Sequence, residues 1–109
     1  MEGVAWAMCK SAQVVNNTQH HEIFITVTYQ SEHIEFFPLP AGEKIEIKRS
    51  IPVPAYAYVG DGIIYIHVRC DGLDDEIGQD VEVLWTVEVH KYTVVVDKDN
   101  KLKIIKEVI

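Results

Sequence analysis

The sequence predicts an all-β protein, a single antiparallel β-sandwich of seven or eight strands built from residues 1–109. Three observations predict it. The aliphatic residues are overwhelmingly β-branched, 15 Val and 13 Ile against 4 Leu, and such side chains suit a pleated surface better than a helix. Apolar and polar residues alternate with a period of two in segment after segment, with no helical spacing anywhere. Turn chemistry punctuates these segments at intervals near ten residues, the rhythm of a sandwich.

In chain order, Glu2–Val15 is apolar and carries no strong turn, so residues 1–15 read as an N-terminal edge or donor strand. Glu22–Tyr29 places Ile23, Ile25, Val27 and Tyr29 on one face and Phe24, Thr26 and Thr28 on the other. Ile34 and Phe36 alternate with Glu35 and Phe37 until Pro38-Leu39-Pro40-Ala41-Gly42 breaks the run. Lys44–Lys48 alternates around Ile45 and Ile47. Ile51-Pro52-Val53-Pro54 suits only a sheet edge or a passage between sheets, because proline donates nothing to a ladder. Gly60-Asp61-Gly62 is a turn, followed by a strand with Ile64, Ile66, Val68 and Cys70 inward and Tyr65, His67 and Arg69 outward. After the acidic loop Asp71–Asp80 comes the longest alternating run, Val81–Lys91, with Val81, Val83, Trp85, Val87 and Val89 opposite Glu82, Thr86, Glu88 and His90. A C-terminal hairpin closes the chain, Tyr92–Val96 and Lys101–Ile109 around Asp97-Lys98-Asp99-Asn100. The pattern leaves immunoglobulin-like and jelly-roll topologies both open.

Composition excludes several function classes. Ten basic against seventeen acidic residues give a formal charge of -7, which repels phosphate backbones, so no nucleic-acid partner is expected. No apolar run approaches the roughly 18 residues of a membrane-spanning helix, and no signal peptide is recognisable; the expectation is a soluble chain without an address. No Gly-rich phosphate loop is present, and Ser11, Ser31 and Ser50 lie in no nucleophile elbow. An enzyme is not expected, and neither is a cofactor.

Metal chemistry is not expected either. His20 and His21 are adjacent, and adjacent side chains of an extended chain point apart. His67 and His90 fall on outward faces and read as surface residues. The acids at 71, 74, 75, 76 and 80 lack the spacing of a calcium loop and read as a solvating run. Cys9 and Cys70, 61 residues apart, are a possible disulfide; closing such a loop contributes roughly 4 kcal/mol on the chain-entropy account and implies an extracellular or cell-surface setting. The alternative is two buried free thiols. Asn16-Asn17-Thr18 is formally a glycosylation sequon.

Phe24, Phe37, Tyr65 and Leu84 lie opposite the main aliphatic rows, so both faces of some strands carry large apolar groups. With Trp6 they form the candidate interaction surface, where the second face of a lone sandwich should be wet. The layout from Val14 to Val68, with Asn16-Asn17-Thr18, the strand Glu22–Tyr29, Leu39-Pro40-Ala41-Gly42-Glu43-Lys44-Ile45 and Tyr65-Ile66-His67-Val68, resembles immunoglobulin-like modules of the CARDB type from bacterial and archaeal surface proteins. That resemblance implies a non-catalytic adhesion, spacer or assembly module. Trp6, Val15-Asn16-Asn17-Thr18 and Gly60-Asp61-Gly62-Ile63-Ile64-Tyr65 are also similar to the aegerolysin group, which implies lipid or membrane binding or a toxin component. The late Cys- and Trp-rich segment of several aegerolysins is not recognisable here, so their lipid recognition has no residues to fall on. The expected function is protein-protein interaction or homomeric assembly, with the lipid-binding role as the alternative.

Overall fold

A computed structural model of the chain describes residues 7–53 and 56–109. The described residues hold strands and turns and no helix. The strands are β1 (Met8–Asn16), β2 (Ile23–Tyr29), β3 (Ile34–Leu39), β4 (Lys44–Ile47), β5 (Ser50–Val53), β6 (Tyr56–Gly60), β7 (Ile63–Cys70), β8 (Glu76–Asp80), β9 (Val87–Val96) and β10 (Leu102–Val108). Eight of them form one mixed sheet with two arms, β4-β1-β9-β10 and β3-β2-β7-β8, joined where Cys9 of β1 meets Ile63 of β7. The hairpin β5-β6 stands apart as a two-stranded sheet.

Period-two alternation builds the core. On β2 the row Ile23, Ile25, Val27 and Tyr29 is fully buried, and its register with β7 lines it up with Cys70, Val68 and Ile66. On the other arm Ala12 and Val14 of β1 lie beside Tyr92 and Val94 of β9, with Ile47 of β4 and Leu102 of β10 at the flanks. These two rows form one cluster, the main apolar area withdrawn from water. Two bulges adjust the pattern. One sits at Lys10, between the pairs Cys9/Glu88 and Ser11/Val89. The other inserts Ile64 opposite the step from Thr28 to Tyr29, so Ile63 rather than Ile64 is buried and Ile64 and Tyr65 are both exposed.

Several expectations are corrected. The sheet is not antiparallel throughout, because β1 runs parallel to β9 over Met8–Asn16, and the described residues hold ten strands rather than seven or eight. Residues 8–15 are no free donor strand: β1 is enclosed by β9 on one side and by β4 and β7 on the other. The acidic run after Cys70 is not all loop, since β8 adds to the edge of β7. Residues 81–86 are not a strand; β9 begins at Val87 and buries Glu88, His90, Tyr92 and Val94, turning Val87 and Val89 outward. The reason is phase: Tyr92 and Val94 are large and inward, and with a period of two they carry His90 and Glu88 inward as well. Ile51-Pro52-Val53 forms one strand of the hairpin β5-β6, where every strand is an edge and the missing proline donor is harmless; Pro54 lies outside the described residues.

Candidate interaction face

Strand register assembles a face from three strands. Phe24 stands between Pro38 of β3 and Arg69 of β7, Thr26 between Phe36 and His67, and Thr28 between Ile34 and Tyr65. All nine point away from the core. Ile34 and Phe36 are 61% and 58% exposed, and the Phe24 and Phe36 rings stack with centroids 6.0 Å apart. The Arg69 guanidinium lies 4.6 Å over the Phe24 ring, a contact of about 0.5–1 kcal/mol at an exposed site. His67 approaches Glu76 of β8 at 3.4 Å. Tyr65 drapes across Gly78, where an added Cβ would overlap its hydroxyl; an aromatic ring laid on a strand glycine repairs the missing side chain. Pro38 is tolerated because β3 is the outermost strand of its arm.

The expected surface residues do not form one patch. Phe24 and Tyr65 belong to this face. Phe37 does not: it pairs with Ile25 and packs against the core, while its neighbour Phe36 takes the solvent side. Leu84, 81% exposed, sits with Trp85, 72% exposed, in the segment leading into β9. Trp6 lies outside the described residues. Ile34 and Phe36 join the face as further surface groups, and the sequence signal for them is their spacing of two residues in phase with Pro38, which marks the edge.

His90 is not a surface histidine. Its Nε2 lies 2.7 Å from Glu88 Oε1 and its Nδ1 2.7 Å from the Tyr92 hydroxyl. A carboxylate only accepts, so Nε2 is the donor to Glu88, while the Tyr92 hydroxyl can serve Nδ1 as donor or acceptor. Glu88 Oε2 accepts the amides of Leu84 and Trp85 at 2.8 and 2.6 Å. The His90 bond and these two amides hold the Glu88 carboxyl below its ordinary value. Burial, and then the charge of Cys9, pushes the Tyr92 hydroxyl up. An i, i+2, i+4 run of Glu, His and Tyr inside a valine-rich strand was the available signal for this network. Cys9, Glu88, His90 and Tyr92 are all buried, so the cluster ties β1, β9 and the 84–86 segment together from inside.

Cys9 and Cys70 are free and buried. Cys9 pairs with Ile63 at one end of β7 and Cys70 is the other end, so about 23 Å of strand separates them where a bridge needs Cα atoms within about 7 Å. The intramolecular disulfide is corrected. Burial raises the Cys9 thiol to about 11 and, with Asp71 adding to it, raises that of Cys70.

Elsewhere, polar residues are spent on the backbone. Both amide hydrogens of buried Asn16 are engaged, on the carbonyls of His21 and Leu39, while its Oδ1 accepts from Thr18; the sequon therefore offers no free amide in the folded chain. His21 Nδ1 meets the Asp71 carbonyl at 3.0 Å. An open cleft of about 410 Å³ beside this loop is lined by Thr18, Gln19, His20 and Asp97 among others. In the acidic run Asp75 turns inward and accepts the Leu102 amide at 2.7 Å. Asp61, buried, accepts Arg49 Nη1 at 2.6 Å, Ser31 Oγ at 2.5 Å and the Ser31 amide at 3.1 Å, fastening the base of the β5-β6 hairpin. No cluster of three or more potential metal ligands occurs among the described residues.

The fold defines an all-β protein with a mixed eight-stranded sheet. A protein from Eubacterium rectale solved by NMR shares it: the two superpose with a TM-score of 0.53 over 96% of this chain and 91% of that one, at 10% identity. No protein-family model and no curated protein sequence matches the chain.

Proposed function

We propose that this chain is a non-enzymatic, immunoglobulin-like β-sandwich that works by homomeric contact, as a subunit of a surface layer, coat or filament. Closure of the two arms over each other is supported by their single shared core and by Asp75, beyond β7, accepting from Leu102 of β10. The observation that carries the function is Phe36 and Ile34 of β3, both open to solvent, with Phe36 stacked on the half-buried Phe24 of β2. A second copy is the occupant that fits. The chain carries -7, yet the outward residues of β2 and β3 (Phe24, Thr26, Thr28, Ile34, Phe36, Pro38) bear no charge, so like-charged copies meet there with least repulsion.

Light scattering at two protein concentrations, with and without reductant, tests it. A mass that rises with concentration above 12.4 kDa, is indifferent to reductant and falls in Phe36→Glu supports assembly. A 12.4 kDa particle under all conditions overturns it. Co-sedimentation of that monomer with neutral or sphingolipid vesicles, lost in Leu84→Ser/Trp85→Ser, would replace assembly with aegerolysin-like lipid binding.

A further inference from the structure

The free edge of β10 is self-complementary, and we infer that two copies pair there, β10 against β10, into one continuous sheet; this rests on the homomeric function proposed above and names a second contact for it. Among the edges of the main sheet, β3 carries Pro38, β4 has four residues, and β8 has five with Gly78 in its middle. Proline, shortness and interruptions are among the devices that blunt edges. β10 has none of these three; its charged residues are Lys103, Lys106 and Glu107, and Asp75 occupies only the amide of its first residue. The strand runs seven residues, Leu102–Val108, in unbroken register with β9.

Backbone geometry fixes which groups face outward. The Ile109 amide donates to Val89 and the Lys101 carbonyl accepts from Asp97, so the odd-numbered residues of β10 bond to β9. Bonding alternates along an antiparallel ladder. The amides and carbonyls of Leu102, Ile104, Lys106 and Val108 therefore point away from β9; the Leu102 amide is already held by Asp75, which leaves the Leu102 carbonyl and both groups of Ile104, Lys106 and Val108 for a partner. An antiparallel partner related by a twofold axis at Ile105 matches this alternation: Ile104 exchanges bonds with Lys106 of the second copy, and the Val108 amide donates to the Leu102 carbonyl of the second copy, while the Leu102 amide stays with Asp75.

That same register sets the side chains. Lys103, Ile105 and Glu107 share the outward face. Across the twofold axis Lys103 stands opposite Glu107 of the second copy, Ile105 opposite Ile105 of the second copy, and Glu107 opposite Lys103 of the second copy. These are the non-hydrogen-bonded positions, where side chains come closest. Ile105 is 52% exposed in the single chain and becomes covered. Lys103 leans on Asp97 at 3.5 Å, an exposed contact that it exchanges for Glu107. Lys106 keeps its bond to the Glu82 carbonyl.

Charge reversal tests the pairing. Assembly is followed by light scattering for wild type, Lys103→Glu, Glu107→Lys, the double reversal, and a one-to-one mixture of the two single variants. Each single variant places like charges at both symmetric positions and weakens pairing about tenfold or more. The double reversal restores it, and so does the mixture, because Glu at 103 of one copy then faces Lys at 107 of the other. Single variants that assemble as wild type does, or a double reversal as weak as the singles, overturn the pairing while leaving homomeric assembly standing. A wild-type chain that never exceeds its monomer mass overturns both.

Discussion

Removing the Asp61 carboxylate should loosen the β5-β6 hairpin before the rest of the sheet. The Asp61 side chain is 1% exposed, and its partner Arg49 is 27% exposed. Truncating one member of a buried, hydrogen-bonded pair costs about 3–5 kcal/mol, because the other charge is stranded. Here the guanidinium reaches water through its exposed quarter, and Ser31 is at the surface and rehydrates. Asp61→Ala is therefore expected to cost about 2–3 kcal/mol, near the lower bound of that range. A change of this size lowers the ratio of folded to unfolded chain about 30- to 150-fold. Urea unfolding gives the global value. Hydrogen exchange gives the local one: a two-stranded hairpin is marginal alone, so the β5-β6 amides should exchange faster in the variant while those of β2 and β7 keep their order. Arg49→Met and the double variant complete a cycle whose coupling should exceed about 1 kcal/mol. A loss under about 0.5 kcal/mol with no coupling would refute the assigned role of this pair.

Glu88 is held below its ordinary value of 4.5, so its contribution to stability is present above that value and disappears as pH falls through the folded value. Urea midpoints of the wild type should drop on acidification below about pH 4.5, and Glu88→Gln should flatten that drop, leaving the share of Asp97, which the Lys101 amide also holds low; parallel profiles would exclude it. Cys9 and Cys70 should resist a thiol reagent at neutral pH until the chain unfolds, because the thiolate is the reactive form and Cys9 sits at about 11. Rapid labelling of the folded chain, or an oxidised monomer, would contradict the burial described.

Legibility of the sequence followed the strength of local phase. Ile23–Tyr29 and the C-terminal hairpin could be read because alternation is clean and the turns are unambiguous. Phase failed where a single residue shifts it. The bulge at Ile64 inverts the pattern at the start of β7, and the break before Val87 made the valines look inward although Tyr92 sets the register. The burial of Glu88 and His90 runs against side-chain hydropathy, and it becomes intelligible only with their mutual hydrogen bonds in view. Phe36 and Phe37 are chemically alike, so sequence could not say which one faces water. The position of β1 is a property of topology, and nothing in residues 8–16 encodes a parallel neighbour near residue 90.

That neighbour governs the order in which the molecule can come into being. Met8 opposite Val87 and Asn16 opposite Val94 are 79 and 78 residues apart in sequence. Closing so long a loop is entropically unfavourable, and chains dominated by such distant pairings fold slowly. On the ribosome β1 must wait for the synthesis of β9 before its central place in the sheet exists, and its apolar row stays uncovered by β9 during that interval, the kind of exposure that favours premature association.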